Sequence, residues 1–198
     1  MEAPVMADQI TATPLRQNLA AYRTPPGWSP GRPWLVQTLW FCGGAPLLAA
    51  RCLPGSAWRV ALLRLFGARI GNGCRLKPGL RVTFPWRLSV GQHCWLGEDA
   101  WLDNLAMVTL SDRVCVSQGA YLCTGNHDFR SPGFEQRLGP ISVGSDAWIA
   151  ARAVLAPGTV VSPGAVICLG AVVSGDVPSG AILRGNPAVV VGQRLESP

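Results

Sequence analysis

Aliphatic residues recur at every sixth position through most of the chain. They stand at Ile70, Leu76 and Val82, then after two extra residues at Val90, Leu96 and Leu102, then after two more at Leu110, Val116 and Leu122. Following a longer break they return at Val143, Ile149, Leu155, Val161, Ile167 and Val173. A period of six fits neither a helix nor a single alternating strand, and fifteen positions in one phase mark an internal repeat. Four residues after a guide aliphatic the side chain is usually small, as at Cys74, Cys94, Ala100, Ala120, Ala147, Ala153, Thr159, Ala165 and Ala171. Pro-Gly falls in one place three times, at 78–79, 157–158 and 163–164, where a type II turn wants Pro first and Gly second. The spacing predicts a solenoid in which each six-residue unit is a short strand plus a corner and three units close one coil. Coils would stack as parallel strands about 4.8 Å apart, with the guide aliphatics filling a narrow interior.

The pattern before Ile70 is different. Residues 1–33 are polar and Pro-rich and read as an extended arm. Trp34 to Leu53 is almost wholly apolar, but Gly43, Gly44 and Pro46 split it, and it falls short of an uninterrupted span of about 20 apolar residues. It reads as a helical pair covering one end of the core, with a membrane-surface element as the alternative because Trp34, Trp40, Arg32 and Arg51 suit an interface. Ser56 is placed to cap a helix through Trp58, Val60, Leu62, Leu63 and Phe66, closed by Gly67. The expected division is an arm and helical cap over 1–69, a solenoid domain over 70–192 with a loop at 123–142, and a tail over 193–198.

Composition sharpens this reading. Gly 23 and Pro 17 together make about a fifth of 198 residues, which forbids a mostly helical bundle, while 48% hydrophobic residues are too many for a disordered chain. The net charge of +6 does not indicate nucleic acid, because the basic residues are scattered singly. Residues 1–69 hold seven Arg against Glu2 and Asp8, so +5 of the excess lies outside the repeat. Seven Cys form no CxxC pair and have no His cluster beside them, so no zinc or other metal is expected and a reduced, cytoplasmic setting is the default. The first ten residues contain acids and no apolar run, unlike a signal peptide.

Candidate chemistry lies where the repeat interrupts itself. Residues 123–142 project from a coil corner, and loops on a rigid scaffold are where reactive groups are commonly carried. His127, one of two His, lies in this loop; His93 sits within the hexad VGQHCW and reads as a corner residue. The context TGNHDF, then a loop, then PISVGSDAWIA, resembles the catalytic His segment of galactoside, maltose and nodulation-type O-acetyltransferases. These are hexapeptide-repeat enzymes with a left-handed parallel β-helix. The string WLGEDAWLDNLAMVTLSDRVCVSQGAYLCTGNHDF, with GRPWLVQTLWF, LLRLFGARIG and LRGNPAVVVG, is similar to the branch of colanic-acid-biosynthesis (WcaF-like) acetyltransferases across most of residues 31–192.

The resemblance implies acetyl transfer from acetyl-coenzyme A to a saccharide hydroxyl, in exopolysaccharide or glycolipid synthesis. Moving acetyl to an alcohol needs a base near the hydroxyl, and imidazole suits that role. His127 would take the proton, with an acid on its second ring nitrogen: Glu135 by resemblance, or Asp128. Asp103, one coil earlier, stands by resemblance where galactoside and maltose acetyltransferases carry an acceptor-side Asn, and Asn104 beside it is the second substrate-binding candidate, with turn-closing corner residues as the other reading. Carried over to the donor side are Trp148, Ala151, Leu169 and Ser174. Ser174-Gly175 stands where relatives carry Thr-Lys, so phosphate neutralisation falls to Arg184, with Arg152 and Arg194 as alternatives. The resemblance also implies a homotrimer, for which Trp95, Trp101 and Trp148 share one repeat phase. If the acceptor is lipid-linked, the basic, Trp-containing N-terminal third would hold the enzyme peripherally at the inner membrane. The alternatives are a longer acyl-coenzyme A or acyl carrier protein donor, and a non-catalytic β-helix scaffold.

Overall fold

The computed structural model describes residues 15–194. The first fourteen residues of the expected arm and the last four of the tail lie outside the described residues. The described chain forms two compact units, one of residues 15–28 with His127–Arg137, the other of Ser29–Asn126 with residues 138–194.

The larger unit is a parallel β-helix with three sheets. The first sheet stacks Arg69–Ile70, Leu88–Val90, Val108–Leu110, Ile141–Val143, Val160–Val161 and Asp176–Val177. The second stacks Arg75–Leu76, Trp95–Leu96, Cys115–Val116, Trp148–Ile149, Val166–Ile167 and Ala181–Gly185. The third stacks Arg81–Val82, Trp101–Asp103, Tyr121–Cys123, Val154–Leu155 and Val172–Val173. Registers such as Leu96 on Val116 and Leu102 on Leu122 put each guide aliphatic directly over the one in the next coil. All fifteen guide aliphatics are buried, none more than 7% exposed, and the small residues four positions later fill the space beside them. Leu80 and Val114 take the small-residue position and are buried too, so the interior accepts larger side chains there.

The corners explain the Gly and Pro content. Three residues after a guide aliphatic the backbone is left-handed, with φ +75 at Gly79 and +81 at Gly158. The same corner position is filled at φ 57 by His93, Asp99, Arg113 and Arg152, and at φ 64 by Asp146. A non-glycine residue in this region costs about 1 to 2 kcal/mol. An ion pair between stacked corners accompanies it, Arg113 Nε donating to Asp146 Oδ1 at 2.6 Å, and Asp99 pairs with Arg51 from the segment after the cap helix. His93 is thus a corner residue, as the repeat phase implied.

Every change in repeat length falls on one edge of the solenoid. Passage from the third sheet to the next first-sheet strand runs from Val82 to Val90, Leu102 to Leu110, Leu122 to Val143, Leu155 to Val161 and Val173 to Val177. The other two edges keep the six-residue step from Ile70 to Leu183. Insertions are tolerated there without disturbing the stacked strands.

The helical cap departs from the expected pair. Trp34–Leu39, Trp40–Gly44 and Ala45–Ala49 run on as one helical segment, the middle part a π-helical turn. Gly43, Gly44 and Pro46 do not break it. Gly44 is required by packing, since a Cβ there would overlap the Trp40 ring, and Pro46 follows directly on the π-helical turn. The segment's buried residues Trp40, Gly44 and Leu48 are spaced by four and form one stripe. Ser56 stands at the N-cap position of Ala57–Leu65, but its hydroxyl makes no capping bond. It instead accepts from Leu76 N at 3.1 Å and donates to Leu76 O at 3.2 Å. The physical reason is the solenoid's open end: the first coil has no coil before it, and unpaired strand edges need cover. Arg64 donates to Ile70 O on the first sheet, Ser56 serves Leu76 on the second, and Trp40 Nε1 donates to Thr83 O, 3.0 Å away, beside the third. At the other end Ala188–Gln193 closes the second sheet antiparallel to Ala181–Gly185.

Candidate active site

The loop carrying His127 is a hairpin in which Gly125–His127 pairs with Gln136–Leu138. Asp128 N donates to Glu135 O at 2.8 Å, and the Ser131-Pro132-Gly133 turn is closed by Phe134 N on Ser131 O at 3.1 Å. Phe134 is held at φ 50, which turns its carbonyl toward His127. The His127 and Phe134 rings stack 4.3 Å apart and 4° from parallel, and Tyr22 from the arm meets His127 edge-on at 5.9 Å. The arm is tied to the turn by Asn18 N on Pro132 O at 2.8 Å.

His127 Nδ1 lies 2.8 Å from the Phe134 carbonyl oxygen. A carbonyl oxygen only accepts, so Nδ1 carries the proton in this hydrogen bond and the neutral ring keeps its lone pair on Nε2. The expectation of an acid on the second nitrogen is therefore corrected: the group on Nδ1 is a backbone carbonyl. Asp128 accepts from Arg130 N at 3.0 Å and pairs with Arg137, and these contacts hold its carboxyl below the usual range, the Arg130 N–H most strongly. Glu135 is exposed and turned back over Gly133. A hydrogen bond with Ser131 chiefly lowers its carboxyl. Phe134 and Tyr22 were not legible as site residues, since a Phe before a Glu carries no signal that its carbonyl will be used.

Asp103 and Asn104 lie next to each other on the third sheet and have different fates. Asp103 is half-buried, accepting from Thr83 Oγ1 at 2.9 Å and from Tyr121 OH at 3.1 Å. Burial, followed by contacts with Cys123 and Asp103, pushes the Tyr121 phenol up, so it stays a donor to the carboxylate. Tyr121 also stacks on Trp101 at 4.6 Å, under the Arg81 guanidinium. Asn104 is fully buried. Its Oδ1 accepts from Phe84 N at 2.9 Å, and its Nδ2 donates to Phe84 O at 2.7 Å and Arg87 O at 3.1 Å. That commitment corrects the substrate-binding expectation for Asn104, which staples the coil edge where the repeat length varies. Thr124, also buried, does the same one coil on, donating to Asp103 O and accepting from Ala106 N.

The donor-side residues divide. Trp148 projects from the second sheet and donates from Nε1 to Ser117 Oγ at 2.9 Å. Trp95, Cys115 and Trp148 are in register on consecutive coils, so the small Cys115 leaves a cleft of about 410 Å³ between two half-exposed indoles. Arg75, Lys77, Glu98 and Gln118 are among the residues that line it. Ala151 and Leu169 stack at the next corner, Gly170 N donating to Ala151 O at 3.0 Å, and Leu169 is 73% exposed. Ser174 follows the third sheet and so lies on a different edge. Arg184 is exposed on the strand Ala181–Gly185, Arg152 is a left-handed corner residue, and Arg194 Nη1 donates to Asp146 O at 2.8 Å. Among the described residues no group of three His, Cys, Asp or Glu is arranged to hold a metal ion.

No family model matches the sequence. Over 181 residues, 91% of this chain and 99% of the relative, it is 36% identical to the Escherichia coli (strain K12) protein named as colanic acid biosynthesis acetyltransferase WcaF. Among solved structures, a maltose O-acetyltransferase from Clostridium difficile 630 superposes with a TM-score of 0.75 at 19% identity, covering 83% of this chain and 90% of its own. The hexapeptide-repeat acetyltransferase VCA0836 of Vibrio cholerae, complexed with acetyl coenzyme A, gives 0.72 at 22% identity, covering 82% and 88%. These neighbours are left-handed β-helices, the fold expected from the resemblance. Identity of that level along nearly the whole length, on a six-coil parallel β-helix, means that the chain belongs to the WcaF family of hexapeptide-repeat acetyltransferases.

Proposed function

We propose that this acetyltransferase moves the acetyl group of acetyl-coenzyme A directly to a saccharide hydroxyl, with His127 as general base. The observation that carries the reading is the Phe134 carbonyl on His127 Nδ1, which leaves Nε2 as the basic nitrogen. As the acceptor oxygen forms its bond to the acetyl carbon, Nε2 takes the hydroxyl proton. As the carbon–sulfur bond breaks, that proton passes to the departing thiolate, and no acyl-enzyme is formed. The WcaF relationship and the acetyl coenzyme A held by VCA0836 support the donor.

Asp103, oriented by Thr83 and Tyr121, is the proposed acceptor-side carboxylate. Trp148, Ala151 and Leu169 are the proposed donor track, with Arg184 toward the coenzyme phosphates and Ser174 contributing from its own edge. We further propose a homotrimer using the half-exposed Trp95 and Trp148, a cytoplasmic location, and an acceptor from exopolysaccharide or glycolipid synthesis. Residues 70–192 serve as the catalytic solenoid and 1–69 as its arm and cap.

The test is transfer to a panel of oligosaccharides and glycolipids from three donors: acetyl-coenzyme A, a longer acyl-coenzyme A and an acylated carrier protein. Acetyl-coenzyme A is expected to be preferred by at least about tenfold in kcat/KM, a difference of about 1.4 kcal/mol in transition-state binding. Preference for either rival donor would replace this reading.

A further inference from the structure

The cap helix is apolar on the side it does not bury. Trp40, Gly44 and Leu48 face the core, while Trp34 is 74% exposed, Leu39 57%, Leu35 54%, Phe41 46% and Leu47 42%. No charged residue lies between Trp34 and Ala50; Arg32 precedes this stretch and Arg51 follows it, both exposed. A helix that is hydrophobic all round is ordinarily covered on both sides. The surrounding chain has one sign of charge. Between Asp8 and Glu98 there are eleven basic residues and no acidic one, whereas from Glu98 onward there are six basic and nine acidic. The end of the solenoid formed by the cap and the first coil therefore presents exposed indole and leucine side chains within a stretch of chain whose charged residues are all basic, one of them, Arg51, paired with Asp99 of the second coil.

We infer that the outer side of the Trp34–Ala49 helical segment docks on an anionic lipid bilayer surface. Apolar side chains would enter the headgroup boundary, and cations near an anionic surface add electrostatic attraction. No helix among the described residues is long and apolar enough to cross a membrane, which fits a segment lying on the surface. A second copy seated face to face is disfavoured, because a two-fold contact would oppose the same arginines. The inference does not rest on the proposed reaction, since it concerns binding alone.

The full chain is sedimented with vesicles of phosphatidylcholine and with vesicles that also contain phosphatidylglycerol. Binding to the anionic vesicles is expected to exceed binding to the neutral ones by at least about tenfold and to weaken as salt is raised. The double variant Leu35→Gln, Leu39→Gln is expected to lose at least about tenfold in vesicle affinity, because each substitution removes apolar surface at the boundary. Both side chains are exposed, so its unfolding midpoint should match that of the parent. A readout that needs no variant is alkylation of the exposed Cys42 thiol in the same segment, which anionic vesicles should slow several-fold. Equal recovery with neutral and anionic vesicles at low salt, or unchanged Cys42 alkylation, would overturn the inference. So would self-association of the chain without lipid that the double variant abolishes, since the face would then belong to a second copy.

Discussion

At the scale of single residues, the hydrogen bond on His127 carries the most consequence. Because the Phe134 carbonyl occupies Nδ1, neither carboxylate of the hairpin is needed to set the imidazole tautomer. Glu135→Gln is therefore expected to change kcat by less than about threefold, whereas an acid directly on the imidazole would be worth well over tenfold. Asp128 acts on the hairpin itself. Its carboxyl is held low by the Arg130 N–H and Arg137, so its contribution is present above the unfolded carboxylate pKa and fades as pH falls through the still lower folded value. Proteolytic nicking of residues 128–137 should increase only below about pH 4, and Asp128→Asn should show no such acid step. Asn104 makes the opposite case, a polar residue spent on structure. Asn104→Ala removes three hydrogen bonds from a buried corner, though Phe84 O keeps the Arg87 N–H, and is expected to cost about 2 kcal/mol, measured by urea unfolding. The sequence context could not separate Asp103 from Asn104. Both are small polar residues at one corner, and only the direction of each side chain tells a half-buried carboxylate from a buried staple.

At the scale of elements, a six-residue period specifies its own corners. Gly170 sits at φ +69 with nothing within 4 Å of where a Cβ would stand. Gly170→Ala should therefore cost about 1 kcal/mol from backbone conformation alone, and Gly170→Asn distinctly less, in the same unfolding measurement. The burial of Cys94 follows from the small-residue position of the repeat. Burial pushes its thiol up to about 11, so at pH 8 it should stay unmodified by iodoacetamide while the exposed Cys52 reacts, as read by mass spectrometry. The repeat was legible because each guide aliphatic meets its equivalent one coil away, making the pattern local and periodic. The cap was less so. Gly43, Gly44 and Pro46 look like helix breakers in isolation, but the Trp40 ring needs the space above Gly44, a requirement set by packing and not by local propensity. Ser56 misled for a related reason, since the hydroxyl that would cap its own helix is taken by the exposed edge of the first coil.

At the scale of the molecule, placing all length changes on one edge lets a regular solenoid carry a long hairpin without interrupting any of the three sheets. The same regularity leaves two open ends, one closed by an antiparallel strand and the other by a helical cap that brings Arg64, Ser56 and Trp40 to the three sheets of the first coil. The uneven charge of the chain belongs to this second end. The account as a whole stands on His127 as the base of direct acetyl transfer, and one measurement reaches it without intermediaries: steady-state transfer from acetyl-coenzyme A by the parent chain and by His127→Ala, with unfolding midpoints recorded on the same samples. The account predicts a fall in kcat of at least about a hundredfold with an unchanged midpoint. A folded His127→Ala chain that turns over within about tenfold of the parent would contradict it.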